Sequence, residues 1–192
     1  MPHAKPVRTR LLLTVAVAFY EVLHLGWEYL HGGVMRHHLL QRSDWPAMSN
    51  WWGLVVLPVL AWLLIGRMQA RGGSQSHAFV ARPIALRFLA ALLYGAGFAA
   101  SFAFGYEAVT STLFFGLFVL AVTLPICSAE YLLGFVLGMT FIFGAVLPTM
   151  IACVFALLSS VLHPLARIIV RTVMRLVAKA RGNTSVQTKQ TN

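Results

Sequence analysis

The sequence predicts an all-α fold, a polytopic bundle of transmembrane helices, and three observations lead there. Hydrophobic residues make up 59% of the 192 positions and charged residues only 10%. No soluble domain of this length hides so much apolar surface from water. Several apolar runs approach the roughly 20 residues that a helix needs to cross a bilayer. The charges are also sorted. Lys5, Arg8 and Arg10 precede the first run, and Arg67, Arg71, Arg82 and Arg87 bracket one polar internal loop. Arg167, Arg171, Arg175, Lys179, Arg181 and Lys189 follow the last run, whereas the five acids lie within or between apolar segments.

Basic residues flanking spans follow the positive-inside bias, so the expected setting is the cell inner membrane with both termini cytoplasmic. The same bias accounts for the net charge of +10 without nucleic acid as a partner. Cys127 and Cys153 stand alone in apolar sequence, which reads as packing and gives no disulfide framework.

Residues 1–10 form a basic cytoplasmic head, and residues 11–165 a single transmembrane domain. Ala16-Val17-Ala18 resembles a signal-peptidase site. Only about five residues separate it from Leu11, however, against the usual 7–15, so the segment reads as a first span over 11–31. Residues 32–49 form the outer connection, where Trp45, Trp51 and Trp52 suit the aromatic belt of a membrane interface. The second span, 51–66, contains Pro58, and residues 67–82 enclose a cytoplasmic loop with the sequence GGSQS. The third span, 84–104, is rich in small residues. A tight turn at Gly105-Tyr106-Glu107 leads to the fourth, 109–127.

Residues 131–165 are too long for one ordinary span and short for two. Gly144 and Pro148 are the candidate turn markers. Two cytoplasmic termini require an even number, which favours a hairpin broken near Pro148 and six spans in all; five is the alternative. Gly134 and Gly138 form a GxxxG face suited to a partner helix. In residues 166–181 arginines recur at i, i+4 and i+8 (Arg167, Arg171, Arg175), with Ile169, Val173 and Leu176 on the other side. That pattern predicts a basic amphipathic helix on the bilayer surface, bound to anionic lipid headgroups. The tail, 182–192, is polar and is expected to be disordered.

The functional question concentrates between Glu21 and Trp52, which hold four of the seven histidines and three of the five acids. Glu21, His24, Glu28 and His31 are spaced 3, 4 and 3. At about 100° per residue they share an arc of about 80° on one helix face, before Gly32-Gly33 ends the helix. A carboxylate deep in hydrocarbon costs roughly 2.5–3.5 kcal/mol on insertion scales, so it faces the bundle interior and has a use or a partner there. Glu and His at i, i+3 recur in carboxylate-bridged metal sites.

The pattern therefore points to an outward-facing polar site that binds or moves a divalent metal (zinc or iron) or protons. His24, Glu28, His31, His37, His38 and Asp44 are the candidate metal ligands. Glu21 and Glu130 are the candidate proton or substrate path. Two other classes fit the same residues, namely a membrane-embedded metalloenzyme acting on a lipid-like substrate and an accessory subunit of a membrane complex. No P-loop, G-x-S-x-G, H-E-x-x-H or CxxC pattern is present.

Overall fold

The computed structural model describes residues 4–31, 36–38, 47–72 and 77–190. Six helices follow in order: α1 (Ala4–Leu30), α2 (Gly53–Gly72), α3 (His77–Ala103), α4 (Glu107–Thr123), α5 (Ala129–Phe143) and α6 (Val146–Gln190). Between α1 and α2 two three-residue strands, β1 (Arg36–His38) and β2 (Ala47–Ser49), pair antiparallel, with His37 opposite Met48. This small ribbon is an addition to the all-helical expectation. A single 3-10 turn, Asn50–Trp52, leads from β2 into α2.

Four helical stretches are long and apolar enough to cross a membrane: Val7–Leu30, Asn50–Arg71, Arg82–Ala103 and Val146–Leu176. α4 and α5 are shorter, at 17 and 15 residues. The six predicted segments thus correspond to six helices, four of which have the length of a membrane span.

Helix ends sort the charges in space. Arg8, Arg10, Arg67, Arg71, Arg82 and Arg87 gather at what we call the basic end, and Trp27, Trp51 and Trp52 at the opposite, tryptophan end.

α5 is the central helix. Nine of its residues are buried, and Leu57, Phe98, Leu117, Val136, Met139, Phe143 and Phe155 join helices α2 to α6 in one core. A helix that is apolar on most of its faces is suited to such a place, and Phe141 is its one large exposed side chain. Gly134 and Gly138 let it lie directly on α3, because a Cβ at either would overlap the α3 backbone at Phe88 or Leu92. Gly95 returns the contact against the Phe135 carbonyl. The GxxxG face expected to receive a partner helix is therefore used within the chain.

This packing gives a paired test. Gly138→Ala is expected to lower the thermal unfolding midpoint, since overpacking typically costs about 1–3 kcal/mol. Gly97→Ala, where a Cβ meets nothing within 4 Å, should leave the midpoint unchanged or raise it. Equal effects at the two sites would contradict the α3–α5 contact.

Several boundaries differ from the sequence reading. α1 is helical from Ala4, so most of the basic head belongs to it. Most of the residues expected in the 67–82 loop are helical, because α2 runs to Gly72 and α3 begins at His77. The hairpin breaks at Gly144, not Pro148: Gly144 has φ 67°, a left-handed value glycine adopts without a Cβ penalty. Pro148 instead lies in the first turn of α6, where its missing N–H has no helical partner to lose. His163-Pro164 sits inside α6, which continues without interruption through the basic segment to Gln190. Residues 182–190, expected without structure, are helical there. Ile168, Ile169, Val170, Val173, Met174 and Leu176 are all exposed along this stretch.

Candidate functional site

The site is the seam between α1 and α2. Arg10, Thr14, Val17, Glu21, His24 and Glu28 recur at 4, 3, 4, 3 and 4 residues, the spacing that keeps one helix stripe facing a neighbour. α2 runs antiparallel along it. At the basic end the Arg10 Nε–H donates to the Trp62 carbonyl at 2.8 Å, and its guanidinium lies 3.9 Å from the centre of the Trp62 ring. Gly66 leaves the space that the guanidinium fills. At the tryptophan end, Gly53 at the start of α2 meets Glu21, and Asn50 of the preceding 3-10 turn meets Glu28. Between Val7 and Leu30, Glu21 is about 21 Å from the first and about 14 Å from the second. It thus lies somewhat nearer the tryptophan end of that helical stretch.

Glu21, His24 and Glu28 are 0%, 4% and 8% exposed. The His24 Nε2 lies 3.0 Å from the Phe141 carbonyl oxygen, which can only accept, so Nε2 carries the hydrogen. In the neutral ring, Nδ1 then bears the lone pair. It faces the Glu21 Oε2 at 3.8 Å, beyond hydrogen-bond length. Tyr20 and Phe141 hold the His24 ring, with ring centres 6.4 and 5.4 Å away.

On the other side, Glu28 Oε1 lies 3.6 Å from Nε2 and accepts a 2.8 Å hydrogen bond from the Asn50 amide. The Asn50 carboxamide in turn lies against Gly144, and the Glu21 carboxylate against Gly53; a Cβ at either glycine would overlap it. Three separate chain segments (α1, the start of α2, and the α5–α6 bend) therefore close on one polar cluster.

The cluster is incompletely satisfied. Both Glu21 carboxylate oxygens, His24 Nδ1 and Thr14 Oγ1 are buried with no hydrogen-bond partner among the described residues. Thr14 is about 10 Å below Glu21 on the same stripe. A buried polar group without a partner costs on the order of 1–3 kcal/mol, so such groups mark a site where something is exchanged or held.

Not all the predicted residues join. His31 is exposed at the end of α1, with Nδ1 2.9 Å from the Trp27 carbonyl and its ring stacked on Trp27 at 3.8 Å. It caps a carbonyl of the last turn and lies apart from the cluster. Glu130 is buried at the start of α5 and paired with Arg87 of α3 at 3.2 Å. Along α5 it is about 16 Å from Phe141, so Glu21 and Glu130 are not neighbours. His37 and His38 belong to β1 by backbone; their side chains, and Asp44, lie outside the described residues.

Asn50, Gly53 and Gly144 were missed. Asn50 had a local signal as a good N-cap residue just ahead of an apolar run, and Gly144 had one as a turn residue only.

The donor set can be tested against the expected metal. His24 fits a ligand in one respect: its Nε2–H is held by a backbone carbonyl, as in histidines that bind metal through the other nitrogen. Glu21 and Nδ1 supply only two ligands, however. Among the described residues no group of three His, Cys, Asp or Glu side chains is placed to hold an ion. The described residues thus fall short of the three or more protein ligands common in zinc and iron sites. Compared with family models, curated proteins and solved structures, the chain matches none.

Proposed function

We propose that this chain is a multi-pass inner-membrane protein whose Glu21–His24 pair takes up and releases one proton from the outer, tryptophan-rich side. The observation that carries the reading is the set of three orphaned atoms, Glu21 Oε1 and Oε2 and His24 Nδ1, buried together across 3.8 Å. One proton serves the pair in two ways, as a Glu21 carboxylic acid facing a neutral imidazole or as a carboxylate facing an imidazolium. Either leaves the pair neutral, which suits a low-dielectric interior where a lone charge is costly. Glu28, oriented by Asn50, links the pair to the tryptophan end.

The seam does not favour passage to the other side. Below Glu21 come Val17, Thr14 and then Arg10, and a fixed arginine in a narrow path repels protons and cations. Proton binding from one side is therefore the reading, in preference to transport. The metal remains a rival only if His37, His38 or Asp44 completes the set. Purified protein should contain less than one zinc or iron per chain, and a stoichiometric metal lost in both Glu21→Gln and His24→Ala would replace the proton reading with a metal site.

The proposed topology has six crossings with cytoplasmic termini. Reporter fusions after Lys5, Ser76 and Thr184 should all report cytoplasm, and one after Ser43 the outside. A tail reporting the outside at Thr184 would leave five crossings. Beyond the bundle, the Arg167/Arg171/Arg175 stripe is proposed to contact anionic headgroups. A peptide of residues 165–181 should gain helicity with anionic vesicles and lose it at high salt. Equal gain with neutral vesicles would contradict the electrostatic attraction.

A further inference from the structure

A second site lies among α3, α4, α5 and α6, away from the Glu21 cluster. It is a cavity of about 180 Å³, walled by Ala91, Leu117, Leu124, Leu132, Phe135 and Phe155 among others. Its wall is carbon: Tyr94, which also lines it, donates its hydroxyl to the Leu113 carbonyl. An apolar cavity of this order of size stays dry and admits apolar matter. The rim is open, since Ala90 and Leu124 are exposed.

One charged residue shares the stripe of α3 that faces this cavity. Arg87, Ala91 and Tyr94 follow at 4 and 3 residues, so Arg87 stands one turn from the cavity toward the basic end. Its guanidinium is 49% exposed and gives one N–H to Glu130 Oε1 at 3.2 Å. Glu130, 4% exposed, holds the guanidinium in place but uses only part of its capacity. Arginine presents five donors in a planar fork, a shape that takes phosphate oxygens two at a time.

We infer that this cavity and Arg87 form one binding site for an anionic phospholipid, the acyl chain in the cavity and the headgroup phosphate on Arg87. An apolar slot ending one turn from a half-exposed cation is complementary to an amphipathic anion. In a bilayer such a ligand also arrives already oriented, with its headgroup at the basic end. The inference rests on the proposed membrane location and is independent of the Glu21–His24 proton.

The test uses the purified full chain in a neutral detergent, titrated with phosphatidylglycerol or with phosphatidylcholine of the same acyl chains, and reads bound lipid by native mass spectrometry. Wild type should hold one phosphatidylglycerol per chain and prefer it by about tenfold, because phosphatidylcholine offers the same phosphate but carries beside it a quaternary ammonium that the Arg87 guanidinium repels. The Arg87→Gln/Glu130→Gln pair keeps a hydrogen bond while removing both charges, and should bind the two lipids equally. Should that pair fail to fold, Arg87→Lys keeps the ion pair but not the fork, and should lower the preference several-fold. Ala152 of α6 also lines the cavity, so Ala152→Leu fills it and should lose both lipids.

Equal binding of the two lipids to wild type, or binding unchanged by Ala152→Leu, would overturn the site. A fatty acid retained in place of phospholipid would overturn it too. The reporter fusions above read the membrane topology separately, so a failure here is distinguishable from a failure there.

Discussion

Gly53→Ala should destabilise the bundle, and the loss should vanish when Glu21 is shortened. A Cβ at Gly53 falls where the Glu21 carboxylate lies and comes within 3.4 Å of the Ala145 methyl. Exposed carboxylates swing aside into solvent at little cost, but Glu21 is 0% exposed and has no solvent to swing into. Overpacking of this kind costs about 1–3 kcal/mol, and displacing Glu21 also breaks its alignment with His24. Glu21→Ala removes the atoms that obstruct the new methyl. The double variant should then recover most of the loss, with a coupling energy in the range of about 0.5–3 kcal/mol expected for residues in contact. Thermal unfolding of the two single variants and the double measures that coupling. Additive losses would mean that the carboxylate does not rest on Gly53.

The second large effect is expected at Glu21 itself, and its sign separates function from architecture. A carboxyl group buried without a partner weakens the fold, so removing it should strengthen the fold. Glu21→Gln keeps the volume and faces N–H donors toward the His24 lone pair, which lies 3.8 Å from the Glu21 carboxylate. Glu21→Leu replaces a desolvated polar group by an apolar one, a change that is often neutral or stabilising by about 1–4 kcal/mol at buried ionic sites. Both variants should unfold at an equal or higher temperature than wild type and should take up no proton at this site. That is the usual trade at functional positions. His24→Phe should behave differently: it keeps the ring but leaves the Phe141 carbonyl without its donor, at about 1–3 kcal/mol. Glu21→Gln and Glu21→Leu both less stable than wild type would show a structural network with no exchange role.

The Glu21–His24–Glu28 face was legible in the sequence because helical spacing alone places such residues on one side. The membrane-class composition was legible for a similar reason, since it depends on sums over long windows and not on any single contact. What lay beyond local reading were the contacts across the chain. Asn50 reaches Glu28 over 22 residues, Arg87 reaches Glu130 over 43, and His24 reaches the Phe141 carbonyl over 117.

His31 obeyed the same periodicity and still left the cluster. It stands at the end of α1, where stacking on Trp27 and a bond to that residue's carbonyl replace the inward direction. Proline and glycine competed to mark the α5–α6 bend. The backbone turns at Gly144 because only there is a left-handed φ adopted, while Pro148 fits a helix start. Nothing local announced that the basic segment continues α6 without a break.

The proposed exchange of a proton between Glu21 and the outer side is best followed in the carboxyl itself. Protein in sealed, oriented vesicles would be taken through a change of outer pH while infrared difference spectra record protonated carboxyl groups. The account predicts one carboxyl band that follows outer pH, ignores inner pH, disappears in Glu21→Gln and shifts in His24→Phe. A spectrum in which no band depends on Glu21 at any outer pH, or in which the Glu21 band follows inner pH instead, would contradict it.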